Sequence, residues 1–278
     1  MDAMEEKKPE LSVVIPTRNE GRNIGPCIDA LGWARDWLEV IVVDNFSTDA
    51  TAALARERGA RVFEQGPERS AQRNRGWRES RARFVCFLDA DMRMPAPTLA
   101  EIRARISTPD APDALYVRET RVGRGWWVRV RNFERSFYDA TCIDALRVFR
   151  RGLLEKTGGY DETFSGGEDW DLNRLCLAAV ARVALTDGAL LHDEGEFSFR
   201  RHLRKKAYYS GTIGRYREKW GNDATVRKQL GIGYRFCGVF LENGKWRRAV
   251  RHPLMMASIM LERAAVGAVY LARTWRRR

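Results

Sequence analysis

Two acidic clusters carry most of the chemistry that this sequence could do. In RFVCFLDADMRMP, Arg83 to Pro95, an almost wholly apolar run ends in Asp89 and Asp91, one residue apart. Further on, GGEDWDL places Glu168, Asp169 and Asp171 directly behind Gly166 and Gly167. Paired carboxylates at the tip of a buried strand suit a hard divalent cation, which takes carboxylate oxygens, keeps several waters and bridges substrate phosphates. As a bare tripeptide D-x-D often only caps a turn; its position at the end of an apolar strand favours the metal. The second cluster falls in the first turn of a predicted helix, where the helix N-terminus favours negative charge. That field keeps Asp169 ionised, the state a general base requires. Helix capping is the competing structural role for Glu168 and Asp169. The double glycine leaves room for a substrate to approach, whereas Asp171 points elsewhere on the helix and reads as structural.

The elements that must position these groups follow a regular rhythm. Leu11–Pro16 (LSVVIP), Glu39–Asp44 (EVIVVD), Arg61–Glu64 and Phe84–Asp89 are predicted strands, apolar and β-branched where they are most buried. Between them, helical spacing spans Asn23–Trp37, a Ser/Thr/Asp cluster opens a helix over Ser47–Arg58, and Arg69–Ser80 forms a polar helix. Such β-α-β-α alternation implies a mainly parallel sheet covered by helices. Later strands are predicted at Asp113–Arg121, Leu146–Arg151 and Arg182–Thr186, the last leading to Leu190–Asp193, with a helix over Glu168–Ala179. Ligands of open α/β sheets bind outside the carboxyl ends of the parallel strands. The polar residues expected to converge there are Thr17, Arg18, Asn19 and Glu20, then Asp44 and Asn45, then Asp89 and Asp91. The first turn, PTRNEGRNIG, lacks a G-x-G-x-x-G pattern, and no G-x-x-x-x-G-K-[ST] loop occurs. Bound phosphates would therefore need a metal rather than a glycine cradle.

Four stretches in order resemble the motifs of family 2 glycosyltransferases with the GT-A fold. They are VVIPTRNE, VIVVDNFSTDAT, ERSAQRNRG with FVCFLDAD, and FRRGLLEKTGGYDETFSGGEDWDLNRL, and the likeness runs from Leu11 to about His192. The resemblance implies a metal-dependent transferase that moves a sugar from a UDP- or GDP-type donor to an acceptor hydroxyl, with inversion. It implies a donor-binding set of Pro16, Thr17, Arg18, Glu20, Asp44, Asn45, Arg69, Arg73, Asp89, Ala90 and Asp91, with Asp44 accepting from the base. Asp91, with Asp89 and His192, would hold the metal, Mn²⁺ or Mg²⁺; an imidazole ligand tilts the choice toward Mn²⁺. A lone structural histidine is the alternative for His192. Asp169 would be the base and Glu168 a supporting carboxylate. Two positions depart from the family pattern: Phe46 replaces a small or polar residue, and Arg18 an aromatic. A sugar nucleotidyltransferase of similar architecture is a second enzyme reading, but it calls for a Gly-rich basic loop after the first strand.

The chain has 278 residues, 44% apolar and 31% charged, which excludes a disordered chain. Its net charge of +12 is uneven: the last 82 residues hold 20 Lys and Arg against 4 Asp and Glu, the first 196 hold 29 against 33. This predicts a polar tail over residues 1–10, a catalytic domain over 11–196 and a basic, mostly helical extension over 197–278. In the extension, Arg200–Trp220 reads as a basic aromatic-bearing helix. Pro253–Ala272 is apolar but interrupted by Glu262 and Arg263, too charged for a spanning helix. With Trp275–Arg278 behind it, and Ile232–Leu241 as a second element, it reads as an interfacial anchor for an anionic membrane. A buried helix or a dimer face is the alternative. A nucleic-acid-binding protein using the basic extension would leave the acidic clusters unexplained, so nucleic acid is not an expected partner. The acceptor is expected to be a glycan or a lipid-linked precursor. Five dispersed cysteines without a C-x-x-C pair predict buried thiols rather than disulfides or zinc. The polar N-terminus, without a signal-like apolar core, predicts a cytoplasmic protein, and the basic extension predicts that it is peripheral at the inner membrane face.

Overall fold

A computed structural model describes residues 8–179, 181–193, 195, 197–209 and 212–275. Most of the expected tail over 1–10, and Arg276–Arg278 of the expected anchor, lie outside them. Two compact units are present. The first comprises Met1–Glu119, Ala145–Glu162 and Asp171–Asp193; the second comprises Thr120–Asp144, Thr163–Trp170 and the chain from position 194 onward.

The first unit is built on one eight-stranded sheet in the order β3-β2-β1-β4-β7-β6-β8-β5. Its strands are β1 (Leu11–Thr17), β2 (Leu38–Asp44), β3 (Arg61–Glu64), β4 (Phe84–Phe87), β5 (Met92–Arg93), β6 (Ala114–Val122), β7 (Leu146–Arg150) and β8 (Val183–Asp193). The predicted parallel pairing holds across β3, β2, β1 and β4, whereas β4 with β7, β7 with β6 and β5 with β8 pair antiparallel. Successive residues of the central strands enter opposite faces. Val13, Ile15, Val40, Val42 and Cys86 pack in one apolar cluster, Val14, Ile41, Val43, Val85 and Phe87 in the other. Both faces are therefore buried, and continuous apolar runs rather than alternation are what such strands require.

The helices of this unit are α1 (Ile24–Asp29), α2 (Thr51–Glu57), α3 (Arg69–Arg78), α4 (Ala96–Ile106), a seven-residue α6 (Arg151–Thr157) and most of α7 (Glu168–Ala178); α5 (Trp126–Arg135) belongs to the second unit. The helix predicted over Asn23–Trp37 stops early. It becomes α1 and a separate 3-10 turn at Gly32–Ala34, glycine being costly inside a helix. The helix predicted from Ser47 begins only at Thr51, because the preceding cluster is spent on loop contacts. Ser47 donates to Asp44 and accepts from the Asn19 amide, while Asp49 accepts from Gly21 and Thr51. α4, α6 and the two-residue β5 had no counterpart in the sequence reading. Most of the polar helix α3 is buried, with Gln72 donating to the carbonyls of Thr17 and Val43. A Cβ on Gly76 would stand 2.2 Å from Val14 Cγ1, so only glycine allows α3 to lie this close to β1.

The second unit is helical: α5 (Trp126–Arg135), α8 (Phe199–Tyr209), α9 (Ile213–Trp220), α10 (Ala224–Leu230), α11 (Val239–Leu241), α12 (Trp246–Val250) and α13 (Pro253–Trp275). Val130, Phe137, Ile143, Val239, Phe240 and Ile259 form its main apolar cluster, and Phe164, Tyr216 and Val226 a smaller one. The two charges that interrupt the apolar stretch of α13 are buried. Arg263 donates to Glu134 at 2.8 Å, and Glu262 meets His202 at 2.7 Å. Val239 and Phe240, from the expected second interfacial element, are core residues, whereas Ile232 and Leu241 beside them are exposed. Among the described residues no helix is long and apolar enough to cross a membrane. All five cysteines are free; Cys27, Cys86 and Cys176 are buried, Cys142 is half-buried, and Cys237 is exposed, against expectation. It lies on a one-sided π-helical turn, Tyr234–Gly238, whose apolar neighbours Val239 and Phe240 take the interior.

Candidate active site

The carboxyl ends of β1 and β2 are locked together by polar contacts. Thr17 Oγ1 donates to Asp44 Oδ1 at 3.0 Å, and the Ser47 amide donates to Asp44 Oδ2 at 2.8 Å. Thr17, Asp44, Asn45 and Pro16 are all buried. Asn45 Nδ2 reaches the Pro67 carbonyl at 2.7 Å. In the turn after β1, Arg18 is exposed, whereas Glu20 is half-buried and accepts from Asn23 Nδ2 at 2.7 Å. Burial raises the Glu20 carboxyl above its ordinary value, and the nearby charges of Asp91, Asp49 and Asp89 push the same way against that hydrogen bond. Phe46 is 63% exposed and adopts a φ of 49°, an outward-facing aromatic in the loop beside Asp44.

The D-x-D sequence sits in the turn between β4 and β5, closed by Met92 N–H donating to the Asp89 carbonyl at 2.9 Å. Its two aspartates have different company. Asp89 accepts from Arg73 Nη2 of α3 at 3.1 Å and lies 3.7 Å from Arg147 Nη1 of β7. Burial alone would raise its carboxyl, but Arg73, Arg147 and Arg69 hold it well below the usual carboxylate range. Arg73 is almost fully buried, its guanidinium over the Tyr160 ring, and Arg69 is half-buried at the start of α3. Ala90, between the aspartates, is buried.

Asp91 faces His192 instead: Nε2 and Oδ2 are 3.2 Å apart. The short β5–β8 ladder makes this meeting possible, because its register sets Met92 opposite His192, and Asp193 N–H donates to the Asp91 carbonyl at 2.8 Å. On the other side of the ring, His192 Nδ1 lies 2.8 Å from Glu119 Oε1. Burial lowers the imidazole's proton affinity, but the hydrogen bonds with Asp91 and Glu119 outweigh it and raise the pKa to about 9. Glu119 also approaches Arg147 at 3.4 Å. Neither Glu119 nor Arg147 was singled out in the sequence. Each follows or sits within an apolar run without a motif around it, and only the sheet order brings them to the aspartates.

Among the described residues no group of three or more His, Cys, Asp or Glu side chains is arranged to enclose a metal ion. The oxygen and imidazole pair of Asp91 and His192, beside the acidic Glu20, nevertheless suits a Mg²⁺- or Mn²⁺-type cation. Such cations are commonly held by one or two protein groups, with phosphates and water completing the shell.

The second acidic cluster opens α7. Glu168 is buried, Asp169 half-buried and Asp171 fully buried. Gly167 has a φ of 88°, a left-handed conformation that favours glycine, and Gly166 exchanges hydrogen bonds with Thr212 Oγ1 at 3.0 and 2.8 Å. Glu168 and Asp169 belong to the second compact unit, the D-x-D turn and His192 to the first.

Comparison with known proteins gives a consistent result. The profile described as "Glycosyl transferase family 2" matches residues 12–158, just over half of the chain. A PGL/p-HBAD biosynthesis glycosyltransferase of Mycobacterium bovis is 28% identical over 192 residues, covering 63% of this chain and 72% of that protein. Among solved structures, a mannosyltransferase from Pyrobaculum calidifontis in complex with GDP-Man and Mn²⁺ superposes with a TM-score of 0.63. It is 22% identical and covers 94% of this chain and 76% of that one. Glucosyl-3-phosphoglycerate synthase from Mycobacterium tuberculosis, in complex with Mn²⁺, UDP and phosphoglyceric acid, gives 0.54 at 19% identity, covering 78% and 81%. The likeness to the two solved structures is one of fold, with a central sheet flanked by helices.

Proposed function

This chain belongs to glycosyl transferase family 2, and on that premise we propose that it transfers a sugar from a UDP- or GDP-type donor to an acceptor hydroxyl, with inversion at the anomeric carbon. The observation that carries the donor site is the pairing of Asp91 with His192 at the carboxyl end of the parallel strands. Thr17, Glu20, Asp44 and Asn45 form the nucleoside side of the site, with Pro16, Arg18 and Ala90 as its backbone surroundings. Arg69 and Arg73 supply positive charge beside the diphosphate, Arg73 through its contact with Asp89. Asp91 and His192 are the groups that would hold Mn²⁺ or Mg²⁺, with Asp89 beside them. When bound, the cation supplies positive charge against the departing diphosphate.

Asp169 acts as the general base. It accepts the acceptor's hydroxyl proton while the oxygen bonds to the anomeric carbon and the nucleoside diphosphate leaves from the opposite face. One displacement with one base gives inversion. Glu168 supports the base, and Gly166–Gly167 leave its approach open. The catalytic domain is taken as 11–196 and the basic extension as 197–278.

The acceptor we assign is a glycan or lipid-linked precursor presented at the inner face of the cell membrane. An exposed segment of the second unit supports this. Trp246, Val250, Leu254 and Leu261 are 47–72% exposed, and the exposed Arg247, Arg248 and Arg251 lie among the first three. Apolar side chains interleaved with arginines match an anionic lipid surface, where each basic residue adds about 1 kcal/mol. Sedimentation with vesicles tests this. Leu254→Ser with Leu261→Ser should release the chain from anionic vesicles, and unchanged sedimentation would remove the membrane from the proposal.

For the donor, calorimetry of the full chain against UDP- and GDP-sugars, with Mn²⁺ and with EDTA, is the direct test. One donor class should bind only with the metal; binding indifferent to both base and metal would overturn the donor site.

A further inference from the structure

We propose that Glu119 is the positioning residue of the donor site: it fixes the His192 ring so that Nε2 faces Asp91, while Arg147 ties the same carboxylate to Asp89. The inference rests on the donor site proposed above and assigns roles to two residues outside any recognised motif.

The four groups arrive on four different elements of the first unit. Glu119 comes from β6, Arg147 from β7, His192 from β8 and the aspartates from the turn behind β4. They form a chain of contacts, from Asp91 Oδ2 to His192 Nε2 (3.2 Å), His192 Nδ1 to Glu119 Oε1 (2.8 Å), Glu119 Oε2 to Arg147 Nη2 (3.4 Å) and Arg147 Nη1 to Asp89 Oδ2 (3.7 Å). Exposure falls toward its middle. The aspartate side chains are 28% and 23% exposed, while Glu119 is 8%, His192 10% and Arg147 12%. The ends face a ligand and the middle is anchored in protein.

Both ring nitrogens face a carboxylate, Nδ1 that of Glu119 and Nε2 that of Asp91, so without a cation each carries a hydrogen. A cation bound on the Asp91 side would take the place of the Nε2 hydrogen while Glu119 keeps Nδ1 as the donor, and ring rotation about χ2 is blocked by the same bond. Carboxylates behind a ligating histidine have this orienting effect generally, and their loss costs metal affinity 10- to 100-fold. Arg147 adds a constraint that a lone carboxylate–histidine pair lacks. Through it, the two arms of the D-x-D turn, one on a guanidinium and one on an imidazole, are referred to one buried group. Asp89 and Asp91 thus keep a fixed spacing without touching each other's partners.

The test uses the full chain and Mn²⁺ alone, read by calorimetry and by the free-ion paramagnetic resonance signal, together with the ¹⁵N shifts of the His192 ring in the metal-free protein at a pH high enough for the ring to be neutral. Glu119→Asp keeps the negative charge beside Arg147 but withdraws it from Nδ1. It should weaken Mn²⁺ binding about tenfold and mix the His192 tautomers. Glu119→Gln keeps an acceptor oxygen within reach, so it should preserve the Nδ1–H tautomer and lose less affinity. In a His192→Ala background neither substitution should change Mn²⁺ binding further by more than about twofold, since the effect passes through the ring. Wild-type affinity and a single tautomer in Glu119→Asp would overturn the proposal, as would equal losses with and without His192. Asp91→Asn provides the separating control. If it leaves Mn²⁺ binding intact, the donor-site reading itself has failed; if it abolishes binding while Glu119→Asp does nothing, only the role of Glu119 has.

Discussion

Both compact units bury ion pairs, and they use them differently. In the second unit Arg135 meets Asp144 at 2.6 Å, Arg263 meets Glu134 at 2.8 Å and His202 meets Glu262 at 2.7 Å, with every side chain 15% exposed or less. Arg263–Glu134 and His202–Glu262 link segments distant in sequence, Arg135–Asp144 joins residues nine apart, and all three pairs are buried on both ends. In the first unit the chain from Asp89 through Arg147, Glu119 and His192 to Asp91 is closed in the middle and part-open at both tips. A buried pair is therefore no sign of a site. What marks one is a carboxylate held by the protein on one side and left part-accessible on the other, in the turn between β4 and β5.

The largest expected effects lie at the open tips. Asp91→Asn and Asp169→Asn should each lower transfer by about a thousandfold or more, the scale of losing charge stabilisation or a general base. Only Asp91→Asn should also abolish metal-dependent nucleotide binding in calorimetry. Equal loss of nucleotide binding in both would remove the division between donor and acceptor roles.

The next effect falls on the closed pairs. Arg263→Met would leave Glu134 buried beside Tyr138 without its main cation. The Glu134 carboxyl is raised by burial but held low overall by Arg263 and its hydrogen bonds. Breaking such a pair costs about 3 kcal/mol or more, visible as a lower Tm in thermal unfolding. Donor affinity measured below the new Tm should not change, and a matching loss of affinity would blur the contrast between the units.

A smaller and conditional effect comes from pH. The His192 pKa rises from 6.5 to about 9 on folding. A raised value means that the stabilisation is complete below pH 6.5 and is lost as pH rises through about 9. It is at most about 3 kcal/mol. In EDTA, the wild-type Tm should therefore decline between pH 7 and 9 more steeply than that of His192→Gln. Parallel curves would mean that the contact with Asp91 and Glu119 carries no such linkage.

Much of this site was legible before folding. Thr17, Asp44, Asp89 and Asp91 announce themselves because each follows an apolar run that local periodicity identifies as a strand, and Glu168–Asp169 follow a glycine pair. The Ser47–Asp49 cluster reads as a helix cap, and one Asp49 oxygen does accept from the Thr51 amide at the start of α2, but Ser47 and the other Asp49 oxygen serve the loop contacts with Asn19 and Gly21. The same local rule could not decide between a cap and a cross-loop contact. Glu262 and Arg263 were read as interruptions of an apolar segment because their partners, His202 and Glu134, lie 60 and 129 residues away.

By itself, then, the sequence determined the strands of the parallel half, the acidic turns that end them and the concentration of positive charge in the last 82 residues. These depend on neighbours within a few positions: apolar runs, punctuation by glycine and proline, and charge counts. Tertiary structure alone decided that His192 faces Asp91, that Glu119 and Arg147 stand behind them, and that the charges of α13 turn inward. Each of these depends on strand order, on the two-residue register between β5 and β8, or on which helix packs against which. Those pairings are selected by burial of the whole unit, a free energy that no single window of sequence contains.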